Sequence, residues 1–259
     1  MALVECHFFS EVLSLSTKMT VILPQETNNQ IGMKNRVHKK YHPTLYLLHG
    51  YSDDDTIWLR RTSIERYVAE MGLAVVMPQV HHSFYTDMAY GNKYWTFLTE
   101  ELPELARSFF PLSDRREDNF VAGLSMGGYG ALKWALTYPA QLAAAASLSG
   151  VLDIAKLQRE SPDHLSFPLV FGNRDITGTE HDLLHLLKKY ETYDGPKPLI
   201  YQCCGTDDHL YEHNQNFTAA CKKTTLDLTV SYDEGGHTWD YWDRKIQEVL
   251  SWLPLDRGE

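Results

Sequence analysis

The chain has 259 residues, 43% of them hydrophobic and 22% charged, which suits one α/β domain over 1–259 with a substantial core. Its net charge of −10 argues against nucleic acid or an anionic membrane as a partner. At the N-terminus Glu5, His7 and Glu11 interrupt what apolar character there is, so a cytoplasmic protein without membrane contact is expected.

Residues 4–12 and 18–24 alternate apolar and polar side chains and predict an antiparallel hairpin at one sheet edge. A polar, basic loop over 28–42, with Lys34, Arg36, Lys39 and Lys40, reads as solvated surface. Residues 44–50 form a continuous apolar strand ending in His49-Gly50, the pattern of a strand covered on both faces. A helix is predicted over 57–71 and a strand over 73–78. The aromatic-rich stretch 79–95 has no clean period and reads as a loop over the sheet end, before a helix over 97–109.

The segment 119–130 is the most informative. An apolar run reaches Gly123-Leu124-Ser125-Met126-Gly127 and passes at once into the good helix-forming stretch 131–136. Strand, sharp turn and helix are the context in which G-x-S-x-G is a nucleophile elbow. Small residues at Gly123 and Gly127 let strand and helix approach closely, because side chains there would crowd one another.

Another buried strand follows over 143–150. Residues 151–196 are less regular, with a Pro/Ser segment, an apolar stretch at 167–172 and a helix near 182–190, and read as a small cap-like insertion. A strand over 198–205, a helix over 210–223, a strand over 226–232 and a helix over 241–253 complete the chain. Cys203 and Cys204 adjoin within a strand and point to opposite faces; with Cys6 and Cys221 they lack zinc-ribbon spacing and read as reduced thiols. Strands alternating with helices predict a mostly parallel sheet flanked by helices, with ligands at the carboxyl ends of its strands.

A serine hydroxyl needs a base, an acid that orients the base, and stabilisation of the oxyanion. In this kind of fold the order is Ser, then Asp or Glu, then His. Of the twelve histidines, His237 alone sits on a glycine-flanked turn after the last strand and before the last helix. The acid belongs just beyond the strand at 198–205, where Asp207 and Asp208 both qualify. Asp208 is preferred and Asp207 is the alternative, since spacing alone does not separate them. The backbone N–H groups of Met126 and Tyr51 are the expected oxyanion donors, with His49 ordering the latter's loop through hydrogen bonds. A metal role for His49 with His81 and His82 is the rival reading, unsupported by a carboxylate at ligand spacing. No metal or cofactor is expected. Tyr51, Tyr85, Tyr90, Trp95 and Trp239 are candidates to wall a substrate pocket, against the plainer reading that they are core.

With His49-Gly50, Gly123-Leu124-Ser125-Met126-Gly127-Gly128, Gly205-x-x-Asp208 and Gly236-His237-x-Trp239 in this order, the sequence resembles the α/β-hydrolase branch that includes esterase D (S-formylglutathione hydrolase), feruloyl and acetylxylan esterases and mycolyltransferases. Trp58-Leu59-x-Arg61-Thr62, Ser83-Phe84-Tyr85-Thr86-Asp87-Met88-x-Tyr90-Gly91 and Leu210-Tyr211-Glu212 look most like its tributyrin esterases. The resemblance implies a serine carboxylesterase for short acyl esters, with Ser125, Asp208 and His237 as triad. It puts the acid on the second aspartate of the pair and implies a small-molecule ester substrate and a tendency to form homo-oligomers. The alternatives within the branch are an S-formylglutathione hydrolase or a deacylase of acylated sugars or feruloyl esters.

Overall fold

The computed structural model, which describes residues 1–161, 164 and 166–256, gathers eight strands into one sheet. They are β1 (Ala2–Ser10), β2 (Leu15–Leu23), β3 (Thr44–Leu48), β4 (Ala74–Pro78), β5 (Asn119–Leu124), β6 (Ala144–Leu148), β7 (Leu199–Gly205) and β8 (Leu228–Asp233). Their order across the sheet is β1-β2-β4-β3-β5-β6-β7-β8. The hairpin β1–β2 and the pair β2–β4 are antiparallel, and the remaining neighbours are parallel. The expected α/β-hydrolase architecture, edge hairpin included, is therefore present.

The helices are α1 (Ile57–Arg61), α2 (Ile64–Val68), α3 (Tyr94–Thr96), α4 (Leu102–Phe109), α5 (Met126–Thr137), α6 (Ile154–Glu160), α7 (Phe167–Phe171), α8 (Leu183–Leu187), α9 (Tyr211–Cys221) and α10 (Trp239–Trp252). Alternation along β3 feeds two cores. Leu45 and Leu47 pack with Trp58, Ile64 and Ile246 on one face, while Tyr46 and Leu48 pack with Trp134, Leu102 and Phe217 on the other. With both faces covered, β3, β4, β5 and β6 are buried along their whole lengths, which explains their unbroken apolar runs. Strand order reverses at β3, between β4 and β5, and the carboxyl ends of these strands are where a ligand is accommodated in such a sheet.

Three helical regions differ from expectation, each for a local reason. The helix over 57–71 is split because Thr62 is extended (φ −134°, ψ 175°); its Oγ1 accepts from the Ile64 N–H at 3.1 Å, restarting the chain as α2. The helix over 97–109 begins at Tyr94 and contains a wide π turn, Phe97–Glu101, directly before Pro103. Proline has no N–H to continue the regular ladder, and the Leu102 N–H bonds back to the Phe97 carbonyl. Helix α6 lies inside the stretch read as irregular; Asp153 caps it by accepting from the Lys156 N–H at 3.1 Å. The Pro/Ser segment lies partly outside the described residues. In the basic loop Lys34, Arg36 and Lys40 are exposed as expected, but Asn35 is buried and Lys39 pairs with the buried Asp118 at 3.0 Å. No helix among the described residues is long and apolar enough to cross a membrane.

Candidate active site

The site forms where β3, β5, β7 and β8 deliver their carboxyl-end turns to one place. Between β5 and α5, Ser125 takes φ 52° and ψ −116°, a backbone conformation costly for a side-chain-bearing residue. The turn is pinned on both sides, its N–H bonding to Leu148 O at 2.9 Å and its carbonyl accepting from Tyr129 and Val151 N–H. A Cβ on Gly123 would stand 2.5 Å from the Gly127 carbonyl, and one on Gly127 would stand 2.6 Å from Leu48 O. The two glycines thus serve different neighbours. Gly123 admits the helix to its own strand, and Gly127 admits the helix to the end of β3.

On the opposite side, the turns after β7 and β8 touch backbone to backbone. Asp207 N–H donates to Gly235 O at 3.0 Å and Thr206 N–H to Asp233 O at 2.9 Å. A Cβ on Gly205 would overlap the Gly235 carbonyl at 2.0 Å, so only glycine permits this approach. The contact sets Asp208 beside His237. His237 Nδ1 donates to Asp208 at 2.9 Å (Oδ2) and 3.1 Å (Oδ1), and Ser125 Oγ lies 3.1 Å from His237 Nε2. Ser125, His237 and Asp208 therefore lie in one hydrogen-bonded line. Asp207, next in sequence, is exposed to solvent.

The Asp208 side chain is 0% exposed. Burial alone would raise its pKa; the His237 hydrogen bond, the charge of His237 and the Leu210 N–H (2.8 Å from Oδ1) outweigh that and hold the carboxyl below its usual range. It is thus a fixed anion behind the imidazole. His237 is partly open, with its side chain 23% exposed. The buried indole of Trp242 stands edge-on to it, centroids 4.8 Å apart at 90°.

The turn after β3 is braced by His49. Its Nε2 accepts from the Val80 N–H at 3.2 Å, so Nδ1 carries the proton and donates to Gly50 O at 2.7 Å. Complete burial pushes its pKa down to about 4, which keeps the ring neutral. With both nitrogens engaged, His49 orders the loop as expected and offers no lone pair to a metal with His81 and His82. A Cβ on Gly50 would meet Leu124 Cδ1 at 2.6 Å, so this turn runs directly beside the residue preceding Ser125. Met126 opens α5 and its N–H has no carbonyl four residues back within the helix.

The aromatic candidates separate. Tyr85 is 0% exposed and donates its hydroxyl to His49 O at 2.9 Å, so it supports the β3 turn and cannot wall a pocket. Trp95 stacks on Tyr138 (centroids 5.9 Å) and lies 4.2 Å from Lys133 Nζ. Tyr138 follows the last residue of the 12-residue α5, about 18 Å along the axis from its serine end. Trp95 is therefore remote core, not pocket wall. Trp239 is half-buried and packs edge-on against Trp58 and Trp242, centroids 5.3 and 5.2 Å away, within the stack that supports His237. The candidate Tyr51 does lie beside the β3 turn, stacked on His82 at 4.2 Å, with Phe84 and His164 at 5.7 and 5.2 Å, while Tyr90 is exposed at the surface. Tyr51 also hydrogen-bonds Ser166, which ties the turn to the 151–196 segment. Sequence reasoning had not singled out Trp242, His164 or Ser166. Only the aromatic density around His237 signals Trp242, and nothing local signals the others.

The esterase family described as "Putative esterase" matches residues 10–253. An acetyl esterase of Caldicellulosiruptor saccharolyticus is 33% identical over 262 residues, covering 98% of each chain. Among solved structures, the substrate-bound fluorophosphonate-binding serine hydrolase F of Staphylococcus aureus superposes with a TM-score of 0.88 at 36% identity, covering 100% of this chain and 99% of that one. An S-formylglutathione hydrolase from the same organism gives 0.85 at 37% identity, covering 97% and 98%.

Proposed function

Because the chain belongs to this esterase family of the α/β-hydrolases and is a serine hydrolase of carboxylic esters, we propose that Ser125, His237 and Asp208 are its catalytic triad and that it transfers short acyl groups, acetyl to butyryl, to water. The observation that carries this reading is the unbroken line from the buried Asp208 carboxylate through His237 to Ser125 Oγ. Asp208 holds His237 as the Nδ1–H tautomer, leaving Nε2 free to take the serine proton. Ser125 Oγ then attacks the ester carbonyl, and the oxyanion is received by the N–H groups of Tyr51 and Met126. His237 returns the proton to the leaving alcohol. Water, deprotonated in turn by His237, releases the acid from the acyl-enzyme. No metal or cofactor takes part in these steps. Four unpaired cysteines support a reducing compartment, the cytoplasm, as the place of work.

The 33%-identical acetyl esterase supports a short acyl group. The S-formylglutathione hydrolase at 37% identity favours a second reading, a thioester of the same small acyl size. A panel of p-nitrophenyl esters from acetyl to octanoyl, with S-formylglutathione and acetylated and feruloylated sugars alongside, decides between them. Each methylene that fits raises kcat/KM up to about fourfold, from about 0.8 kcal/mol of apolar burial. The rise ends where the next one must displace packed side chains at about 1–3 kcal/mol. The expected optimum lies at or below butyryl, and one at octanoyl or beyond contradicts the proposal. Trp239→Ala leaves the optimum in place, since that indole packs on Trp58 and Trp242.

A further inference from the structure

His209 is not used by the esterase chemistry, yet it lies against the line of groups that performs it. Its ring stands 4.6 Å from that of His237, centroid to centroid, at 62°. Its Nδ1 is 3.5 Å from Asp208 Oδ1, the same carboxylate that His237 Nδ1 approaches at 2.9 and 3.1 Å. One ligand atom from each of Asp208, His209 and His237 falls within 4.8 Å of the others. Two imidazole nitrogens and one carboxylate oxygen are a common donor set for zinc. With metal–ligand distances near 2.0–2.1 Å, the edges of a tetrahedral site measure about 3.3 Å. The two edges that end on Asp208 already have this length. The third, no longer than 4.8 Å, would close by a swing of His209, whose side chain is 69% exposed. A water would supply the fourth ligand.

We propose that Asp208, His209 and His237 form an inhibitory zinc site, in which the ion displaces the proton that His237 Nδ1 shares with Asp208. The proposal rests on the triad reading above. The exchange balances simply. Zn²⁺ takes the Nδ1 lone pair and a carboxylate oxygen, and the single proton of the neutral imidazole moves through water from Nδ1 to Nε2, with none released. With zinc on Nδ1 that proton is held on Nε2, which then faces Ser125 Oγ as a donor. It can no longer accept the serine proton, so the first chemical step stops. The ion sits on the Nδ1 edge of the ring, opposite the Nε2 edge that meets Ser125 Oγ. Zinc therefore lowers kcat and leaves KM unchanged, and a chelator reverses it. Asp208 is already fixed by the Leu210 N–H at 2.8 Å, the kind of supporting bond that orients a ligating carboxylate.

The test uses the whole chain in a non-chelating buffer with zinc chloride as probe. Hydrolysis of p-nitrophenyl acetate is followed for the wild type and for His209→Gln, and zinc binding to Ser125→Ala is measured by calorimetry. The expected results are inhibition of kcat relieved by EDTA, and one zinc bound per chain of Ser125→Ala. His209→Gln, whose uninhibited kcat/KM stays within about threefold of wild type, needs at least about tenfold more zinc for half-inhibition. Equal zinc sensitivity in His209→Gln overturns the site. So does Ser125→Ala binding no zinc, or a sensitivity abolished by Cys6→Ser, which would move the ion to the half-buried Cys6 thiol. Should Ser125→Ala stay active, the triad reading fails, while its zinc stoichiometry still reports separately on the site.

Discussion

The turn that carries Ser125 and the turn that carries His237 meet at one hydrogen bond but are fixed by different means. Around Ser125, backbone lies against backbone: Gly123 on Gly127, Gly127 on the end of β3, and the serine N–H on β6. The residues of α5 from Met126 to Leu136 are buried throughout. Around His237, backbone contact at Gly205 and Gly235 sets only the approach of the two turns. The final orientation of the imidazole comes from side chains, the Asp208 carboxylate on one edge and Trp242 on its face. A nucleophile must sit at one point relative to the oxyanion donors, and rigid backbone supplies that. A base that moves a proton to and from different partners is served by a softer mounting that keeps its tautomer fixed.

Substitutions on the two sides should therefore fail differently. The largest effect belongs to the base side. Asp208→Asn is expected to lower kcat by about 10⁴ by favouring the wrong tautomer of His237, whereas Asp207→Asn, at an exposed carboxylate, changes it less than about threefold. Steady-state kinetics on the pair decides, and equal losses would dissolve the distinction. On the nucleophile side the cost appears as stability. Gly127→Ala places a methyl 2.6 Å from Leu48 O with no flexible neighbour to yield. A loss of about 3 kcal/mol is expected, read as a fall in Tm of about 6–12 °C.

The buried Lys133 of α5 gives the rigid side a pH signature. Burial pushes its ammonium down to about 7, from the 10.5 of an exposed lysine. Between these values the unfolded chain holds a proton that the folded chain has released, so this residue makes stability rise with pH from 7 towards 10. The stability of the wild type relative to Lys133→Met should increase by about 2 kcal/mol between pH 7 and 9. Urea titrations at the two values measure it, and a difference independent of pH would mean Lys133 stays charged throughout. The smallest effect returns to the softer mounting. Trp242→Phe keeps a ring but loosens the edge-on contact with His237, and kcat should drop about fivefold, about 1 kcal/mol, with KM unchanged.

The difference between the two sides also governs what could be read from the sequence. The elbow was legible because its requirements are local: two glycines, a serine and a helix-forming stretch in consecutive positions. His237 and Asp208 were found through chain order, and the choice of Asp208 over Asp207 agrees with which of them is buried and which is exposed. Trp95 was misplaced because its loop has no period to show which end of α5 it packs on. Trp242, His164 and Ser166 owe their positions to tertiary contact alone. Helix α6 carried a readable signal, Asp153 at the cap, that the surrounding irregular composition obscured.

The most direct test of the central claim, that Ser125 is the nucleophile held by His237 and Asp208, is labelling with a fluorophosphonate followed by intact-mass and peptide mapping. One adduct per chain is expected, on the peptide that carries Ser125, formed about as slowly in Asp208→Asn as that variant turns over substrate and absent from Ser125→Ala. A stoichiometric adduct on any other serine, or labelling and turnover that persist in Ser125→Ala, would contradict it.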